Sequence, residues 1–237
     1  MIISLIILSI IVLYVVFIYK REFPGLKKTV VEIPEEVYAV AENNGHRLPD
    51  DFAWSVYWAH KTLTDPEKYV VLDTETTGIN NQAVIIQIAV TDLHGNELLN
   101  TLIKPSKKKR MPADAKAVHG INMEALHSAP YFRDIISELS NIIDGKTVLI
   151  YNAEYDQRLI EQTCKQDEVY DFYLSRAECV MEKYSAFKGV WSDYHGDYRY
   201  QKLPNGDHSA IGDCLATLRV IEEMASIWPV EDKDEFV

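Results

Sequence analysis

The sequence predicts an α/β fold, a mixed sheet with helices packed on it, and two observations carry that expectation. Three strand-like runs come first, at Tyr69–Asp73, at 83–93 ("AVIIQIAVTDL") and at Glu97–Ile103, joined by short turns such as His94-Gly95-Asn96. Short connections of this kind predict an antiparallel meander. After about residue 113 helical and strand-like segments alternate. Strands followed by alternating elements imply a mixed sheet with helices laid against it.

Taken in order, the chain starts with Ile2–Tyr19, 18 apolar residues broken only by Ser4 and Ser9. At 1.5 Å per residue the run spans about 27 Å, enough to cross a bilayer core of roughly 30 Å. No Lys or Arg precedes it and "YKREFPG" follows, which disfavours a cleaved signal peptide and predicts an N-terminal transmembrane anchor over 1–20. Lys20, Arg21, Lys27 and Lys28 on its C-terminal side place the bulk of the protein in the cytoplasm. Three cysteines, Cys164, Cys179 and Cys214, fit no zinc spacing and are expected as reduced thiols.

Residues 21–66 are expected to be a connector with one short helix. Asp50 or Asp51 would cap it, and Phe52, Val56, Ala59 and Leu63 would form its apolar stripe. Trp54, Tyr57 and Trp58 lie off that stripe, where packing on the following domain is favoured over contact with lipid headgroups. Beyond the three early strands come a basic loop at 104–112, short helices near 113–118 and 122–127, and a longer helix at 131–143. A strand at Thr147–Tyr151 leads directly into a helix near 153–166, and a last helix runs from Ala210 to Ser226. The tail 227–237 is acidic.

Chemistry enters at "VVLDTETTG" (70–78). Residues two apart on a strand share a face, so Asp73 and Glu75 project together. Adjacent carboxylates repel unless a cation lies between them. "YNAEYD" (151–156) adds Asp156 in the first turns of a helix, with Asn152 as its N-cap. "HSAIGD" (208–213) adds Asp213 at the start of the last helix, five residues after His208. Four acids and a histidine from three separated segments could meet around one pocket.

In order and context these segments resemble the DEDDh group of 3′–5′ exonucleases, the family of the bacterial DNA polymerase III proofreading subunit and of ribonuclease T. Asp73-x-Glu75 with Thr76-Thr77-Gly78 is similar to the first motif. Asn152-Ala153-x-Tyr155-Asp156 is similar to the second, with Tyr where Phe is usual. His208 and Asp213 resemble the third, and "AVHGINMEAL" (117–126) looks like the segment those enzymes place beside the site. The resemblance covers roughly Tyr69 to Ala225 and puts an exonuclease domain at 67–226. It implies a ribonuclease-H-like fold and two divalent cations, Mg²⁺ or Mn²⁺. By the same resemblance Asp73 bridges the metals, Glu75 and Asp213 complete one, Asp156 holds the other, and His208 is the general base. Thr76, Thr77 and Gly78 would offer backbone N–H groups to the terminal nucleotide, and His119 and Asn152 would line its pocket.

The expected activity is release of 5′-nucleotides from single-stranded 3′ ends, DNA slightly ahead of RNA, by an enzyme tethered to a membrane. A tethered nucleic-acid-binding or interaction module on the same fold is the alternative. A formal charge of −12 argues against a large DNA-wrapping surface but not against a grip on one strand end. Any proofreading role would need a protein partner, which the sequence does not identify. Lys104, Lys107, Lys108, Lys109 and Arg110 could hold phosphates or anionic lipid, or be a solvated loop. The aromatics of 184–200 could stack on unpaired bases, although packing is favoured.

Overall fold

The computed structural model describes residues 31–107 and 110–229. At its centre is β1 (Tyr69–Thr76), flanked antiparallel by β2 (Ile85–Thr91) and parallel by β4 (Thr147–Ile150). β3 (Glu97–Leu102) and β5 (Ala177–Cys179) complete a five-stranded sheet of order β3-β2-β1-β4-β5. The expected meander and mixed sheet are both present.

Alternation along β1 divides its side chains between two cores. Val70 and Leu72 enter one, against α4 (Phe132–Ile143) and α5 (Ala153–Asp167). Val71 enters the other, with residues of α7 (Ala210–Ala225). By the same alternation, Asp73 and Glu75 continue the face that carries Val71. Helix α7 crosses β1 and β2 on that face. The chain thus delivers two acids from the strand and one from the helix to a single end of the sheet.

The connector expected over 21–66 is, from Glu35 to Thr64, two helices packed into this second core. They are α1 (Glu35–Asn43) and α2 (Pro49–Thr64). Val37, Ala41, Phe52, Ala53, Val56 and Ala59 are fully buried, and α2 lies against α7 and against α6 (Val180–Lys188). Phe52 stacks on Phe187 at 5.1 Å between ring centroids. Burial of one such side chain contributes about 1.5–3 kcal/mol, so α2 is part of the fold it precedes. Its cap also differs from expectation. Leu48 is the N-cap and Pro49 sits at the first helical position, so Asp50 and Asp51 lie inside the first turn.

A further difference concerns 113–130. A helix, α3, forms at Ala113–His119 as expected, but 122–127 is a chain of turns. Asn122 Oδ1 accepts from the Ala125 N–H at 2.9 Å, His127 and Ala129 bond only three residues back, and Pro130 cannot continue a helix. Neither β5 nor α6 was expected, because a three-residue strand carries no periodicity to detect.

All three cysteines are free. Among the described residues no helix is long and apolar enough to cross a membrane. The Ile2–Tyr19 run, Lys108, Lys109 and most of the acidic tail lie outside them. Ile227 and Trp228, assigned to that tail, instead pack against the second core.

Candidate active site

β1 ends in a bulge between Glu75 and Thr76, where its register with β2 shifts. Such irregularities re-aim side chains at sheet rims. At this end, carboxylate oxygens of Asp73, Glu75 and Asp213 lie within 4.8 Å of one another. Asp156 stands outside that triple. It comes from the first turn of α5, on the other face, and accepts a hydrogen bond from Thr74 Oγ1 at 2.6 Å. The structure therefore brings three of the four expected acids into one cluster and seats the fourth beside it.

The electrostatic cost is plain. Burial pushes Asp73 well above the ordinary carboxylate range, and Asp156, Asp213 and Glu75 push it further. Burial, then Asp213 and Asp156, raise Glu75 to about 8. Asp156, only 4 % exposed, is raised to about 7 by burial despite the opposing bonds from Thr74. Burial also raises Asp213. Without a positive charge among them these acids are all driven toward the protonated form.

The donors are all oxygens. Cys214, the nearest thiol in sequence, is fully buried with Sγ turned to the carbonyls of Val71 and Ala89 at 3.7 and 3.5 Å. An oxygen-only cluster of repelling carboxylates fits hard divalent cations of the Mg²⁺ or Mn²⁺ kind.

Asp213 is held by the turn that precedes it. The N–H groups of Asp207 and His208 both donate to its Oδ1, at 2.9 and 3.2 Å. A Cβ at Gly206 would stand 2.9 Å from the same oxygen, so only glycine lets the turn close this tightly. Ser209 caps α7 by accepting from the Gly212 N–H. His208 adopts a left-handed backbone, φ 60°, with its side chain exposed. That loop position leaves the imidazole in solvent beside Asp213.

His119, at the end of α3, is near enough to His208 for the charge of one to lower the other, although burial is the larger cause of its lowered pKa. Its Nδ1 accepts from the Ile121 N–H at 3.0 Å, which leaves the proton on Nε2. That N–H faces the Thr76 backbone but forms no hydrogen bond of ordinary geometry. Asn152 occupies the N-cap of α5, yet its side chain caps nothing; its carbonyl accepts from Tyr155 and Asp156.

The Thr76-Thr77-Gly78 turn differs from expectation. Thr77 closes the 77–84 loop, its N–H donating to Val84 O at 2.9 Å and its Oγ1 accepting from Val84 N at 3.1 Å. That N–H is therefore spent. The N–H of Gly78, at φ 140°, makes a long 3.4 Å contact to Thr76 Oγ1.

One arrangement is absent from the sequence-based expectations. A single face of α5 pins the loop after β1 by its carbonyls. Tyr155 Oη donates to Gly78 O at 3.1 Å and shares a bond with Thr76 Oγ1 at 2.8 Å. Arg158 reaches Ile79 O, Gln162 reaches Asn80 O and Ala83 O, and Gln166 reaches Gln82 O. The helix that carries Asp156 thus fixes the loop after Glu75, and Ile79 is left 80 % exposed on it. Polar residues at 155, 158, 162 and 166 follow helical spacing, which was the available signal.

An exonuclease family model (RNase_T) matches residues 70–221. The uncharacterised exonuclease CP81 of Escherichia phage 186 is 35% identical over 183 residues, covering 70% of this chain and 92% of that protein. The DNA polymerase III epsilon subunit of Haemophilus influenzae is 34% identical over 105 residues, covering 40% of each chain. Against that subunit and its counterparts in Buchnera aphidicola subsp. Schizaphis graminum and Pasteurella multocida, the match spans less than half of the relative's length. The fold is shared with the nuclease domain of 3'hExo, a DEDDh family member, bound to rAMP. That match has TM-score 0.52 and 13% identity, and covers 67% of this chain and 91% of that one. A full-length 3'-exonuclease matches with TM-score 0.52 and 12% identity, covering 81% and 76%. With a family model spanning well over half of this chain and a relative aligned over 92% of its own length, this chain belongs to the RNase_T exonuclease family.

Proposed function

We propose that this exonuclease is a two-metal enzyme of 3′–5′ polarity that releases 5′-nucleotides from single-stranded ends, with DNA slightly preferred to RNA. The observation that carries the reading is the Asp73, Glu75 and Asp213 cluster, closed to 4.8 Å with Asp156 beside it. Asp73, Glu75 and Asp213 would hold one Mg²⁺ or Mn²⁺ ion, and Asp73 with Asp156 the second. Held there, such ions would supply the positive charge that favours in-line displacement at phosphorus.

The chain's own residues supply the rest. His208 takes the proton from the attacking water, a role suited to an imidazole at neutral pH. The water oxygen bonds to phosphorus, the P–O3′ bond breaks, and the O3′ of the shortened strand leaves to be protonated. The Gly78 N–H and the exposed Ile79 side chain receive the terminal nucleotide on a loop that Tyr155, Arg158 and Gln162 hold still. His119 closes the pocket from the α3 side and Asn152 from the start of α5.

The reading also includes a membrane tether through Ile2–Tyr19, supported by an 18-residue run apolar but for Ser4 and Ser9 and followed by Lys20 and Arg21, with the catalytic domain in the cytoplasm. Protein recovered in the soluble fraction, or a mature chain that starts beyond Tyr19, would end that part. Polarity and sugar preference are tested with matched DNA and RNA strands labelled at either end. A 5′-labelled strand should give a descending ladder and a 3′-labelled one an immediate mononucleotide. The reverse pattern would overturn the assigned polarity.

A further inference from the structure

Between α6 and the His208 loop the chain forms a small hairpin of β6 (Trp191–Ser192) and β7 (Asp197–Tyr198). Its aromatic residues do not behave alike. Tyr184 and Phe187, just before it, are buried, and Trp191 packs edge-on against Tyr198 at 5.2 Å. Tyr194 and Tyr200 instead stand 91 % and 65 % exposed. With His195 and Arg199 they help line a cleft of about 650 Å³.

A pair of two-residue strands is too short to be stable in water alone. Here it is clasped by the N-terminal helices. Arg47, between α1 and α2, places its guanidinium 4.7 Å over the Trp191 ring and bonds Asp193 at 2.6 Å. Tyr198 donates to Asp51 Oδ2 at 3.0 Å. Arg199 N bonds Val190 O at 2.7 Å, and Tyr151 Oη donates to Gln201 O at 2.9 Å. The hairpin is therefore preformed, so its exposed rings lose little freedom when a ligand covers them.

It also adjoins the acidic site. Tyr151 follows β4 directly and precedes the helix that carries Asp156, and the segment tied to it, 199–207, leads straight into His208. Tyr200 lies within reach of the charges of Glu182, Cys179 and Asp197 and, more weakly, of Glu154 in the first turn of the same helix. An unpaired strand with its 3′ end in the acidic site therefore has exposed aromatic surface beside its path. With a net charge of −12, the chain has little capacity to hold such a strand by phosphate neutralisation alone. Stacking on aromatic rings supplies affinity that needs neither base identity nor net charge.

Resting on the exonuclease reading above, we propose that Tyr194 and Tyr200 form a stacking platform for the unpaired bases of single-stranded nucleic acid entering the active site. Arg199 meets the backbone between them. The Arg47 and Asp51 clasp positions the platform without touching the strand.

The test uses the full chain and two readouts. Binding of a 5′-fluorescein single strand, followed by anisotropy in Ca²⁺, reads the platform whether or not cleavage occurs. Hydrolysis of the p-nitrophenyl ester of thymidine 5′-phosphate in Mn²⁺ reads the acidic site alone. Tyr194→Ala and Tyr200→Ala should each weaken strand binding about 5- to 150-fold, leave ester hydrolysis unchanged, and be rescued by Phe at the same position. A wild-type strand with abasic sites upstream of its 3′ end should bind as weakly as the Ala variants bind the normal strand. Unchanged strand affinity in both Ala variants overturns the platform. Failure of the wild type to hydrolyse the ester in any divalent cation overturns the exonuclease reading instead, and leaves the anisotropy result to decide the platform.

Discussion

Withdrawing divalent cations should turn the acidic site into a pH-dependent weakness of the fold. Burial, joined for Glu75 by repulsion from Asp213 and Asp156, lifts Glu75 from 4.5 to about 8 and Asp156 from 3.8 to about 7. Because the folded-state values are raised, the native protein keeps protons that the unfolded chain has already released. Stability is therefore lost as pH rises toward the folded values. His46 and His119, both lowered by burial, act in the opposite sense, but only up to the unfolded imidazole value of about 6.5. From there to about 8 the carboxyls dominate. Over roughly 1.5 pH units at about 1.36 kcal/mol each, Glu75 costs about 2 kcal/mol and Asp156 adds less than about 1 kcal/mol. For a chain of this size that lowers Tm by on the order of 5–10 °C. Calorimetric scans in EDTA across this window should show the fall, excess Mn²⁺ should abolish it by binding only the folded site, and Glu75→Gln should make it shallower. A Tm in EDTA that is level or rising over the window, or a slope that Glu75→Gln leaves intact, would refute the reasoning.

Other perturbations follow from the same geometry. Asp73→Ala and Asp213→Ala should abolish cleavage while far-ultraviolet dichroism stays native, and His208→Ala should slow turnover about 10²- to 10⁴-fold. Tyr155→Phe removes the hydroxyl shared by Thr76 Oγ1 and Gly78 O. It should cost about 1 kcal/mol of stability and appear as a raised KM with kcat nearly unchanged. Gly206→Ala forces a methyl toward Asp213 Oδ1. It should weaken Mn²⁺ affinity about 10- to 100-fold, as disturbed support of a ligand does, readable by paramagnetic resonance of the bound ion.

The acidic site was legible because its parts obey local rules. Asp73 and Glu75 share a strand face by alternation, Asp156 and Asp213 fall in the first turns of helices, and strand and helix patterns place all three segments at one end of the sheet. What stayed illegible depends on partners far away in sequence. Arg47 meets Asp193 across 146 residues and Asp51 meets Tyr198 across 147, so the apolar stripe of α2 marks a helix but nothing local shows that α1 and α2 pack into the fold. Short elements failed for a related reason. β5, β6 and β7 are held by neighbours rather than by their own periodicity, and the turns at 122–127 are set by Asn122 and Pro130 against a helix-like composition. Thr77 carries a similar lesson: its N–H looks available in the motif, and only the closed loop shows that Val84 has taken it.

The most direct test is cleavage itself. A 5′-labelled single strand would be incubated with the wild type and with Asp73→Asn, each in Mg²⁺, Mn²⁺ or EDTA. A ladder shortening from the 3′ end, present only for the wild type and only with a divalent cation, is the expected result. Metal-independent cleavage, or equal cleavage by Asp73→Asn, would contradict a mechanism built on the Asp73, Glu75 and Asp213 cluster.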